Sequence, residues 1–156
     1  MKSLLPIIIR YKTPNDDALI HSAWVTNMHS ALPNSYIPWE TFCQYQDQLI
    51  EDIFQVSNTL VACLIDDPTT VISFLTYSNL KDNLIIHFGY TKNKFRNNKI
   101  MSDLLETADV DYKNKIIPVT NISKTYNSLS KKYTLIYNPY LIKLLQQIKE
   151  TYVTNT

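Results

Sequence analysis

Apolar positions along this chain repeat with two different periods, and the switches between them outline the elements. Leu5 to Arg10 reads as a strand. Thr13-Pro14-Asn15-Asp16 then starts a helix: Thr as N-cap, Pro at the first helical position, acids in the first turn. Ile20, Ala23, Trp24, Met28 and Ala31 follow at helical spacing as far as Pro33. Pro38 opens a second helix with Phe42, Tyr45, Leu49, Ile53 and Phe54 on one side. Asn58 to Ile65 is a strand closed by the turn residues Asp66-Asp67-Pro68. Thr69 to Tyr77 and Leu84 to Lys92 are further strands, separated by a polar loop from Ser78 to Asn83. Such short connections predict an antiparallel meander.

The helical period returns at Ile100, with Met101, Leu104, Leu105 and Ala108 on one face. Ile116 to Thr120 reads as a strand, Ser123 to Lys132 as a short polar helix, and Tyr133 to Tyr137 as a last strand. Asn138-Pro139 caps a C-terminal helix over about residues 139–153, its Leu141, Ile142, Leu145, Ile148 and Tyr152 facing inward. A doubly wound parallel sheet would alternate strand and helix throughout, and this order does not. The expected fold is α/β of the α+β kind: a mixed, mostly antiparallel sheet of six to seven strands with helices on both faces. With no repeat, linker or low-complexity block, residues 1–156 read as one domain.

Composition narrows the function. A hydrophobic share of 45% and a charged share of 19% exclude a disordered chain, and a net charge of +1 argues against a dedicated duplex-DNA binder. Gly89 is the single glycine, so the glycine-rich phosphate loops and the GxSxG nucleophile elbow are absent. A glycine within a strand marks a bulge or a close backbone approach. Cys43 and Cys63 are too few for a disulfide scaffold and suit a reducing cytoplasm. No apolar run approaches about 18 residues, so the chain reads as soluble and cytoplasmic, with no membrane partner. His21 and His29 lie eight apart, too far for an i,i+4 metal pair, and no metal is expected.

One segment carries candidate chemistry. Between Asp82 and Asp103 there is no acid, while Lys92, Lys94, Arg96 and Lys99 gather at a helix entry. Cations beside the unpaired N–H groups of a helix N-terminus suit a phosphate or pyrophosphate; they equally describe a solvated basic loop.

The order of elements and this segment resemble the GNAT family of N-acetyltransferases, particularly the divergent GNAT-like proteins of tailed phages. Ile9-Arg10 with Asp16 and Asp17 is similar to the family's first strand and helix entry. Tyr90-Thr91-Lys92 through Phe95-Arg96 is similar to its fourth strand and the start of its acyl-CoA loop, followed by Ile100 and Leu104-Leu105. Tyr137-Asn138-Pro139-Tyr140 resembles the ending of the phage members. The resemblance implies acetyl-CoA held by Tyr90, Thr91, Arg96, Asn97, Asn98, Lys99, Ile100, Met101 and Asn121, and a cleft opened by a bulge at Gly89. It also implies His87 as base and Tyr126 as the acid for the thiolate, although counting back from Tyr133 puts Ser128 at the family's tyrosine position. Asn121 is equally a helix N-cap. The family loop, Arg/Gln-x-x-Gly-x-Gly/Ala, here has Lys99 and Met101 at its small positions.

Two readings stay open at this level. One is an acyl-CoA-dependent N-acetyltransferase-like protein acting on a primary amine through a degenerate pyrophosphate loop. The other is a catalytically inactive GNAT-fold phage protein, virion-associated or binding a host protein. Nucleic acid is the weaker partner, since four cations on one loop give only salt-sensitive contact.

Overall fold

The computed structural model describes residues 3–154. Its strands are β1 (Ile7–Tyr11), β2 (Asn58–Leu64), β3 (Asp67–Leu80), β4 (Asn83–Thr91), β5 (Ile117–Val119) and β6 (Leu135–Tyr137). Its helices are α1 (Asp17–Ser30), α2 (Trp39–Phe54), α3 (Ile100–Ala108), α4 (Lys124–Leu129) and α5 (Leu141–Thr154). The six strands lie side by side in sequence order. β1 to β4 pair antiparallel, whereas β5 runs parallel to both β4 and β6. This is the expected mixed sheet, with six strands.

Alternation along the strands divides the core into two layers. On one face Val61, Cys63, Val71, Phe74 and Phe88 meet Ile20, Trp24 and Met28 of α1, Phe42, Ile50 and Ile53 of α2, and Ile142 of α5. Trp24 stacks on Phe88 with ring centroids 4.7 Å apart. On the other face Leu60, Ala62, Leu75, Ile86 and Val119 meet Ile100, Leu104 and Leu105 of α3, with Tyr126 and Leu129 of α4 packed at the margin.

The predicted apolar stripe of α1 is buried or packed against the core along its length. α1 begins after a 3-10 turn over Pro14–Asp16, where the Asp16 carboxylate accepts the Thr13 N–H at 2.8 Å. The α2 expectation needs one correction: Tyr45 is 71% exposed, and Gln46 and Ile50 turn inward with Phe42 and Ile53. In α5, Ile142 and Leu145 are buried but Ile148 is exposed, and the side chain of Tyr152 lies outside the described residues.

The polar loop expected from Ser78 to Asn83 is mostly strand. β3 continues to Leu80, and the hairpin closes through Lys81 and Asp82 at φ 50° and 65°. Positive φ at both central residues is the turn that matches the sheet's twist. It was hidden in the sequence because a lysine occupies a position that usually advertises itself as Asn or Gly. Among the described residues no helix is long and apolar enough to cross a membrane, and no group of three metal-ligating side chains forms.

Candidate functional site

β4 and β5 diverge almost where they meet. Their register holds the single pair Ile86–Val119, extended by the Thr120 N–H donating to the Ile86 carbonyl at 3.0 Å. β4 then runs on to Thr91 against β3, while the segment after β5 turns into α4, whose N-cap Ser123 accepts the Tyr126 N–H. The divergence leaves a cleft beside Gly89, bordered by Phe88, Asn121, Tyr126, Leu129 and Leu135.

That cleft is nearly full. Only about 10 Å³ remains, close to the space of one water. Gly89 itself is closely overlaid: a Cβ there would sit 3.1 Å from Met101 Cε and 3.4 Å from Thr125 Cγ2. Gly89 is therefore a site of close approach. It is not a bulge, because it pairs in register with Leu75. The bulge falls two residues earlier: Thr76 faces Phe88 and Tyr77 faces Ile86, leaving His87 as the extra residue of β4. This explains why Ile86 points to one core layer and Phe88 to the other.

His87 is wholly buried. Nε2 lies 2.7 Å from Ser78 Oγ, and Nδ1 lies 2.7 Å from Thr120 Oγ1. Burial pushes its pKa down to about 4, so the ring is neutral at pH 7. With both nitrogens engaged and no exposed surface, the ring presents no free nitrogen for the expected role as base.

The cationic segment folds on itself before α3. A 3-10 turn over Asn93–Phe95 leads to Arg96, whose Nε donates back to the Thr91 carbonyl at 3.0 Å. Asn98 Nδ2 donates to the carbonyls of Phe95 and Arg96, and the Asn98 carbonyl accepts the Leu4 N–H at 2.9 Å. Asn97 and Lys99 both hold positive φ, 65° and 62°. These are left-handed conformations that ordinarily favour glycine. The loop thus keeps a glycine-like backbone at the family's first small position with lysine in place. Lys94, Arg96 and Lys99 are exposed there, with Lys92 half-buried.

A pyrophosphate suits this half of the site: left-handed backbone turns, exposed cations and the N-terminus of α3 converge on one loop. The other half, the cleft between β4 and β5, is nearly filled, and Met101 approaches it at Gly89.

The remaining expected residues divide between cleft and core. Tyr126 is half-buried and borders the cleft, whereas Ser128 is exposed and outside its lining. Asn121 borders the cleft too, but its Nδ2 is bound to the His87 carbonyl at 3.0 Å, and the N-cap role belongs to Ser123. Tyr90 packs on Phe74 in the opposite layer, ring centroids 5.8 Å apart. Thr91 Oγ1 lies 2.8 Å from Ser73 Oγ, and Ile100 is core. Thr120, Ser78 and Thr125 had no signal in the sequence, being brought to the site by pairing alone.

The sequence matches no protein-family model and no curated protein. Solved structures do resemble the fold. A possible acetyltransferase from Clostridium difficile 630 gives a TM-score of 0.53 at 17% identity, over 85% of this chain and 94% of that one. Ribosomal-protein-alanine N-acetyltransferase from Brucella melitensis biovar Abortus 2308 gives 0.55 at 12%, over 82% and 90%. A GNAT family acetyltransferase from Brucella melitensis in complex with acetyl-CoA gives 0.51 at 12%, over 79% and 80%. The chain has the GNAT fold.

Proposed function

We propose that this protein is an acyl-CoA-dependent N-acyltransferase acting on a primary amine, with Met101 as a movable cover over its cofactor cleft. One observation carries the reading. The divergence of β4 and β5 at Ile86–Val119 opens beside a loop that retains left-handed backbone at Asn97 and Lys99. Neither feature is needed to fill a core, and together they support a reading in which the loop takes phosphate and the cleft beyond Gly89 takes the acyl end. Arg96, Lys99 and the N–H groups at the start of α3 would hold the pyrophosphate, and acetyl-CoA would supply the activated acyl group. Methionine is unbranched and flexible, so Met101 can vacate the space over Gly89 at modest cost.

Within the cleft Tyr126 is the candidate acid for the leaving thiolate, since its ring borders the space and its helix is anchored by Ser123. Both His87 ring nitrogens are already engaged, by Ser78 and Thr120, so the amine would lose its proton to water. Calorimetric titration of acetyl-CoA tests the reading, with Arg96→Ala and Lys99→Ala alongside. Binding weakened about tenfold in each variant supports it; unchanged affinity in both, or no binding to the unaltered chain at millimolar acetyl-CoA, rejects it.

The covered cleft also favours a second reading, in which the fold serves a phage particle or host contact without catalysis. A stable protein complex that forms equally well with Arg96→Ala would favour that one.

A further inference from the structure

We infer that His87 is a positioning residue: it holds the point at which β4 and β5 part, through a one-directional chain of hydrogen bonds. The direction follows from counting hydrogens. Ser78 Oγ donates its only hydrogen to the Val56 carbonyl at 2.8 Å. It can then only accept from His87, so Nε2 carries the ring hydrogen. A neutral imidazole has one such hydrogen, and Nδ1 is therefore an acceptor. The Thr120 hydroxyl donates to it, and Thr120 Oγ1 in turn accepts from Asn121 Nδ2 at 3.3 Å. The chain runs Asn121 to Thr120 to His87 to Ser78 to the Val56 carbonyl, with no donor or acceptor facing its own kind.

Its placement gives the chain a purpose. Ser78 belongs to β3, His87 is the bulged residue of β4, and Thr120 and Asn121 directly follow β5. β4 and β5 share one register pair, yet three further bonds join the dipeptides Ile86-His87 and Thr120-Asn121. These are the Thr120 N–H to the Ile86 carbonyl, the Thr120 hydroxyl to Nδ1, and Asn121 Nδ2 to the His87 carbonyl. The apex of the divergence is thus tied by polar bonds among buried groups, where each is directional and costly to break. The bulge sets His87 out of the regular alternation, so that its ring ties the apex at the inner wall of the same cleft that Gly89 borders. The use of that opening for an acyl arm rests on the acyltransferase reading; the locking does not.

The unaltered protein carries the first test. Nitrogen chemical shifts of the His87 ring should report the neutral form with hydrogen on Nε2, unchanged between pH 5.5 and 8. Hydrogen on Nδ1, or titration within that range, overturns the inference. A second arm uses His87→Phe, which keeps the ring's bulk and removes both bonds. Amide exchange at Thr120 should speed up at least tenfold while Val61 and Phe74 amides stay within about twofold, and His87→Gln, which again offers one donor and one acceptor, should recover most of the protection. An equal loss of protection across the sheet, or no rescue by glutamine, overturns it. Acetyl-CoA affinity is read separately: its absence in the unaltered chain counts against the acyltransferase reading, while tautomer and exchange still decide the role of His87.

Discussion

The two halves of the sheet are held in different ways. From β1 to β4 the strands pair along nearly their whole length, for instance without a break from Ile7–Leu64 to Tyr11–Leu60. Large side chains such as Trp24 and Phe88 stack above them. From β4 to β6 the pairing is parallel and short: β5 and β6 have three residues each, and β4 touches β5 in one pair. The first half is a platform stabilised by apolar burial and ladder bonds. The second is an aperture where a few buried polar bonds around His87 join the apolar layer of Ile86, Ile117 and Val119. Apolar packing is tolerant of small shifts and polar bonds are not, so the aperture's geometry rests on fewer and more specific groups.

That contrast can be broken from either side. The largest effect should come from the platform: Trp24→Ala leaves a cavity against Phe88 and should cost about 3–5 kcal/mol in denaturant unfolding. The aperture should show itself in acid. A buried histidine whose folded pKa is about 4 takes up its proton more readily when unfolded. Its contribution is therefore complete above an unfolded value near 6.5 and is lost as pH falls from there towards 4, by roughly 3 kcal/mol. Unfolding curves between pH 7 and 4 should show this slope, and His87→Gln should flatten it.

The platform has its own acid signature at lower pH. The Arg10 guanidinium, 2.7 Å away, holds the buried Asp16 carboxyl below the ordinary carboxylate range. A depressed carboxylate stabilises above its unfolded pKa and loses that contribution as pH falls through the folded one, so the loss here begins below about pH 4. Asp16→Asn should cost about 1.5–3 kcal/mol at pH 7 and remove the loss below pH 4, leaving the histidine window intact. The smallest effect should be a gain. Lys99→Gly relieves a left-handed lysine and should stabilise the fold by about 0.5–1 kcal/mol in thermal unfolding.

The platform was largely readable from the sequence and the aperture was not. The α1 stripe from Ile20 to Met28 has a period that follows from helix geometry, and it found the core directly. Tyr45 misled because a large apolar ring outweighed the better-placed Gln46 and Ile50. The bulge at His87 is a property of register between two strands, so the glycine two residues later drew the attention instead. The partners of His87 lie nine residues before it and 33 after, distances that no local pattern encodes. The loop conformation was obscured for a different reason, since Asn97 and Lys99 adopt the glycine-like backbone without glycine.

The central claim is that the cleft beside Gly89 receives an acyl arm once Met101 moves aside, and thermal unfolding of the unaltered chain and Met101→Ala with and without acetyl-CoA tests it most directly. Without ligand the variant should melt lower, having lost a packed side chain. With millimolar acetyl-CoA both should melt higher, the variant by the larger margin, because a ligand at about 100 times its Kd adds roughly 2.7 kcal/mol to a folded binder. A ligand shift larger in Met101→Ala than in the unaltered chain is the predicted result. No shift in either, or equal shifts in both, would contradict the account.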